Sequence, residues 1–125
     1  MTFRRILLVA VLSAVAGCSS SSTPSSSPST TPTTTNSAVT VSIPSNARTL
    51  TTAAFGTNPL VVATGTTVTW TNNDSIPHDA VADGGMWSSP ILSPSQSFQF
   101  RFTTAGTFTY KCTLHPNMVG TVTVQ

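Results

Sequence analysis

Residues 38–125 predict an all-β fold, a small sandwich or barrel, and three observations lead there. Apolar residues recur at every second position in short runs, turn-forming Gly, Pro and Asn separate the runs, and no apolar stretch follows the 3.6-residue period of a helix. In chain order, Val39, Val41 and Ile43 alternate with polar residues and form a first strand. Leu60-Val61-Val62 forms a second, and the turn Thr64-Gly65-Thr66 leads into a third, where Val68 and Trp70 alternate. Phe98, Phe100 and Phe102 mark the next, then Phe108 and Tyr110, and finally Val122 and Val124. Alternation at this period turns one face of each strand toward a core, and several such strands in so short a segment need a second layer to cover that face. Parity extends past the strands. Phe108, Tyr110 and Cys112 share a face, so Cys112 is expected inside and Lys111 in solvent. Met118, Val122 and Val124 also share parity, unless Gly120 forms a bulge that resets the register.

Charge narrows the function. The chain has 125 residues with 3 acidic and 5 basic side chains, and charged residues make up 6%, against roughly 25% in an average soluble domain. Its 18 Ser and 24 Thr carry the polarity instead. Nucleic acid is not an expected partner, because neutralising phosphates takes clustered Lys and Arg. Two Cys, two His and three Asp leave few ways to build a reactive centre.

The first 37 residues have another character. Arg4 and Arg5 precede the apolar run Ile6 to Ala16, which is too short to span a bilayer permanently, and Val15-Ala16-Gly17-Cys18 reads as a processing site. This ending resembles a bacterial lipoprotein signal. Residues 1–17 are the expected signal peptide and Cys18 the lipid attachment point, which anchors the protein to a bacterial membrane on its extracytoplasmic side. Residues 18–37 read as a disordered Ser/Thr/Pro-rich linker. Its reach is roughly 25 Å as a coil and roughly 60 Å fully extended. Without the signal, Arg48, Arg101 and Lys111 balance Asp74, Asp79 and Asp83, so the formal +2 of the whole chain falls to zero.

With Cys18 assigned to lipid, Cys112 is a leftover cysteine in an exported protein, where a reactive thiol, an intermolecular disulfide or a metal ligand are the choices. Cys112-Thr113-Leu114-His115-Pro116-Asn117-Met118 sets thiol, imidazole and thioether at three-residue intervals on one loop, and His78 is the only other histidine. Two His, one Cys and a weak Met are the blue-copper donor set. Sulfur holds Cu(I), and imidazole suits both oxidation states. Zinc prefers four strong donors and gains little from a thioether. Asp74, Asp79 and Asp83 cluster in sequence round His78, either as turn formers or as an acidic docking rim. Met86, with Trp87 nearby, reads as a packing or surface residue rather than a ligand.

The stretch Gly65 to Asn73 with Pro77-His78, and the stretch Gly106 to Met118 followed by Val119-Gly120-Thr121-Val122-Thr123-Val124, together resemble the cupredoxins. The two residues between His115 and Met118 match the short amicyanin-type loop rather than the longer plastocyanin one. The resemblance covers nearly all of residues 38–125. It implies a Greek-key β-sandwich, one type 1 copper ion and one-electron transfer. It also implies that His78, Cys112 and His115 are strong ligands, that Met118 is a long axial one, and that His115 is the electron port through an apolar patch. Family members commonly carry Asn directly after the first histidine, and here that residue is Asp79.

The leading expectation is therefore a monomeric copper head that shuttles single electrons between extracytoplasmic or membrane redox proteins and transforms no substrate. A protein for copper delivery or tolerance is the alternative. A catalytic Cys112–His115 pair is weaker, because the loop shows no orienting acid.

Overall fold

The computed structural model describes residues 37–125. The expected signal, Cys18 and the linker up to residue 36 lie outside the described residues. Seven strands form: β1 Ala38–Ile43, β2 Leu60–Val62, β3 Thr67–Asn72, β4 Val81–Ala82, β5 Ser97–Arg101, β6 Gly106–Lys111 and β7 Val119–Val124. They build two sheets, ordered β1-β3-β5 and β2-β7-β6-β4. The first five strands alternate between the two layers, and only β6 and β7 are sheet neighbours joined directly in sequence. That one hairpin carries the Cys112–Met118 loop.

Every run with period-2 alternation is a strand. The two-residue β4 is too short to show a period, and two single 3-10 turns at Ala47–Thr49 and Thr51–Ala53 carry no apolar repeat. Inward residues of both sheets meet in an aromatic core. The Trp70 ring stacks on Trp87 at 5.6 Å between centroids and meets Tyr110 edge-on at 5.6 Å. Phe55 lies 4.6 Å from Tyr110, and Phe102 lies 5.2 Å from Trp87. Trp87 is thus core, while Met86 beside it is exposed.

Pairing of β6 with β7 runs unbroken from Gly106↔Val124 to Lys111↔Val119, so Gly120 is not a bulge. Gly120 sits opposite Tyr110 and is needed there for space: a Cβ would fall 2.6 Å from the Tyr110 Oη and 2.7 Å from its Cε1. The register therefore keeps Met118, Val122 and Val124 buried, as parity requires.

Burial pushes the Tyr110 phenol up to about 12, opposed by the nearby Trp70 indole, whose Nε1 makes no hydrogen bond among the described residues. The shift is a stability statement. The unfolded phenol ionises near 10, so this stabilisation is complete below about pH 10 and is lost as pH rises toward 12, about 3 kcal/mol in all. Tyr110 is the only tyrosine. Phenolate absorbance is expected near pH 12 in the folded protein and near pH 10 in denaturant; a single midpoint near 10 in both would show that the ring is not sealed.

Candidate metal centre

The site lies at one pole of the sandwich, where β3 ends and the β6–β7 hairpin turns. Cys112 follows β6 inward. Its N–H donates to the Met118 carbonyl at 3.0 Å, the Met118 N–H donates to the His115 carbonyl at 3.3 Å, and Asn117 takes a left-handed φ of 73°. Asn tolerates that backbone better than most residues, so seven residues close into one tight loop. His78 is not in a free loop: it pairs with Leu92, donating its N–H at 3.1 Å and accepting at 2.7 Å.

These elements bring His78, Cys112 and His115 together, with one donor atom from each within 4.8 Å of the others. Cys112 Sγ lies 3.8 Å from His78 Nδ1 and 3.5 Å from His115 Nδ1, and the two rings are 4.7 Å apart. His78, Cys112 and Met118 are buried, and His115 alone is partly exposed. Met118 closes the loop with its side chain at 0% exposure. Cys18 lies outside the described residues.

Two aspartates set the chemistry of this cluster. Burial raises the Asp74 carboxyl, but hydrogen bonds from His78 and the backbone at Ser75, Asn46 and Ala47 outweigh it and hold it at about 2. Asp74 therefore only accepts, and the 3.0 Å contact to His78 Nε2 puts the imidazole proton there. Nδ1 is left with a free lone pair facing the sulfur, the carboxylate–histidine arrangement that orients metal-binding rings. The same carboxylate accepts the Ala47 N–H at 3.1 Å, which ties the 3-10 segment after β1 to the site.

Asp79 braces the other side. Its N–H points at Cys112 Sγ at 3.5 Å, and its carboxylate accepts the Thr113 N–H at 2.6 Å and the Thr113 hydroxyl. Acceptors suffice here, so the missing amide of Asn costs the loop no bond. The acidic rim does not form: Asp74 and Asp79 are buried, and Asp83 pairs with Lys111 at 3.1 Å on the surface.

Burial raises the Cys112 thiol, with N–H groups of Asp79 and Leu114 pulling it down and the Asp79 charge pushing it up again. His115 is lowered, first by burial and then by the charges of His78 and Arg48, against the pull of Asp74 and Asp79. The His115 ring is therefore biased toward the neutral form that offers a lone pair, and the Cys112 thiol stays protonated until a metal binds the sulfur and displaces the proton to solvent.

Asn72 also shapes the site. Fully buried, it donates from Nδ2 to the carbonyls of Ile76 at 2.8 Å and Leu92 at 2.9 Å, and its Oδ1 accepts the Asp74 N–H at 2.9 Å. The signal was available: Asn72 continues the inward parity of Val68 and Trp70, and a buried polar side chain demands partners. Asn72→Ala is expected to cost about 2 kcal/mol by leaving the Asp74 N–H and the Ile76 carbonyl unpaired, while the Leu92 carbonyl keeps the His78 N–H. Urea melts of the metal-free protein test this, and a loss below about 0.5 kcal/mol would contradict it.

The family model for copper binding proteins of the plastocyanin/azurin family matches residues 39–125. The chain belongs to this family. Amicyanin of Paracoccus denitrificans is 37% identical over 76 residues, covering 57% of this chain and 58% of that protein, so the match spans less than two thirds of the relative's length. Plastocyanin of Scenedesmus fuscus is 33% identical over 100 residues, or 70% of this chain and 99% of that one. Among solved structures, a purple cupredoxin from Nitrosopumilus maritimus superposes with a TM-score of 0.63 at 36% identity, covering 70% of this chain and 99% of its own. The donor set of this cupredoxin fits the metal its family binds. Sulfur and imidazole suit copper in both oxidation states, and the donors converge in a pocket closed to water on all but the His115 side.

Proposed function

We propose that the protein is a membrane-anchored, single-electron carrier with one type 1 copper ion, held strongly by His78, Cys112 and His115 and weakly by Met118. The supporting observation is the closed, braced cluster itself. Asp74 fixes the His78 ring and Asp79 fixes the hairpin loop, so the donors stand in place without rearrangement. Copper supplies a one-electron couple in which thiolate and thioether favour Cu(I) and imidazole serves both states. A rigid site moves little between those states, and His115, the partly exposed ring, is the route by which an electron enters or leaves. Delivery of copper to another protein needs open, exchangeable ligands, and burial of Cys112 and His78 works against that. Extracytoplasmic redox proteins act as donor and acceptor, with a lipid on Cys18 as anchor.

Adding Cu(II) to the purified protein is expected to give an intense visible thiolate-to-copper band and a reversible voltammetric wave. A colourless protein that binds Cu(I) without a reversible couple would favour delivery. In Met118→Gln, copper should remain and the potential should fall, because an oxygen donor favours Cu(II). An unchanged potential would remove Met118 from the ligand set. Metabolic labelling with palmitate, lost in Cys18→Ala, tests the anchor.

A further inference from the structure

The formal neutrality of the head conceals an uneven surface. Of the three carboxylate side chains in the whole chain, Asp74 and Asp79 are buried within the metal centre and Asp83 is taken by Lys111. Arg48 and Arg101 are both exposed, and no carboxylate side chain remains to pair with either.

The two arginines sit at opposite poles. Arg101 donates from Nε to the Gly65 carbonyl at 3.2 Å, in the turn before β3. Arg48 follows Ala47, whose N–H is bonded to Asp74, which in turn holds His78 at the far end of β3. The six residues of β3 separate these ends by about 17 Å. The two bonds through Asp74, 3.1 Å from the Ala47 N–H and 3.0 Å to His78, place the residue after Ala47 at the edge of the pole that holds His78 and His115. Around the partly exposed His115 stand exposed Leu114 and Pro116 on its own loop, with Pro77 before His78 and Ile91 before its bridge partner Leu92. The pole is therefore apolar around His115 with one unpaired cation, Arg48, at its edge, since Lys111 beside Cys112 is matched by Asp83.

We infer that this face docks a redox protein that presents a carboxylate beside its own apolar port, and that Arg48 pairs with that carboxylate to set the orientation in which His115 meets the partner. The inference rests on the electron-carrier reading above. Apolar contact alone has no preferred rotation about the docking axis; one off-centre charge pair supplies it, and a partner without the matching anion gains nothing from Arg48. Because the cation is at the rim, its effect falls on encounter and orientation and weakens with salt.

The test uses the copper-loaded full chain, reduced, and mixed in stopped flow with ferricyanide or with tris(1,10-phenanthroline)cobalt(III). At low ionic strength Arg48→Gln is expected to slow oxidation by the anion about fivefold and to leave or raise the rate with the cation, a difference that closes in high salt. Arg101→Gln, equal in charge change, is expected to alter the anion rate less than about twofold. Equal anion rates in the parent and Arg48→Gln, or an equal loss in Arg101→Gln, would overturn the inference. A second readout needs no redox cycle: in the zinc-loaded protein, hexacyanochromate(III) should broaden amide signals near Leu114 and His115, and lose that effect in Arg48→Gln. Failure of copper to cycle reversibly sinks the electron-carrier reading, while the broadening still reports on Arg48 by itself. Arg48-dependent binding to phosphatidylglycerol vesicles, without the rate effect, would assign the face to a membrane and overturn the proposal of a protein partner.

Discussion

Replacing Cys112 by Ser is expected to abolish the visible thiolate-to-copper band completely while leaving the head folded. The band requires a sulfur donor, and a serine hydroxyl neither ionises under these conditions nor bonds softly to Cu(I). Cys112 is 3% exposed, and its sulfur takes the Asp79 N–H at 3.5 Å. A hydroxyl at that place can accept the same bond, so metal-free Cys112→Ser should lose only about 1–2 kcal/mol. Cu(II) added to the variant should give a weakly coloured complex with a wide copper hyperfine splitting in its paramagnetic spectrum. An unchanged blue spectrum would sink the assignment of the site, and a collapse of the metal-free fold would show that Cys112 is chiefly a packing residue.

Gly120→Ala is expected to be the most damaging glycine-to-alanine change among the described residues. The new Cβ would run into the Tyr110 ring, which cannot step aside because Phe55 lies at 4.6 Å and Trp70 at 5.6 Å. Overpacking of this kind costs about 3 kcal/mol, which lowers the melting temperature of a domain this size by roughly 15 °C. A second substitution in the same chain, Tyr110→Leu, removes the ring and should recover part of the loss, so the two changes are strongly non-additive. Thermal unfolding of the four metal-free proteins checks this. Additive losses, or a Gly120→Ala variant as stable as the parent, would mean that the two residues do not meet.

The strands were legible because their faces are: Val41 and Ile43, Val68 and Trp70, Val122 and Val124 announce burial by alternation, and parity carried that reading on to Cys112 and Met118. The convergence of His78 with the hairpin loop was foreseen from donor chemistry and resemblance, since no local rule brings residues 34 positions apart to one sulfur. The roles of the acids were not legible. Asp74 and Asp79 look like ordinary loop residues in sequence, and only the backbone groups of Ala47 and Thr113, delivered by distant segments, turn them into buried braces. The core position of Trp87 was not legible for a related reason: it belongs to no alternating run and gains its place from Trp70 across the core. The 3-10 segment carrying Ala47 and Arg48 has no periodic pattern at all, yet it supplies both a bond to the metal centre and the cation beside it.

The direction of β1 has a consequence for how the molecule is held. Ala38 pairs with Thr67, and the Thr67 N–H donates to the Ser37 carbonyl at 2.8 Å, so the chain enters the sandwich at the pole where Arg101 meets Gly65. Any pull transmitted through Ser37 therefore reaches the sandwich at the end opposite the metal centre. A lipid on Cys18 in the role proposed above, or a linker to an electrode, would leave the working pole free to sweep for partners. A handle fused after Gln125 joins at that same rear pole, because β7 runs away from the copper end.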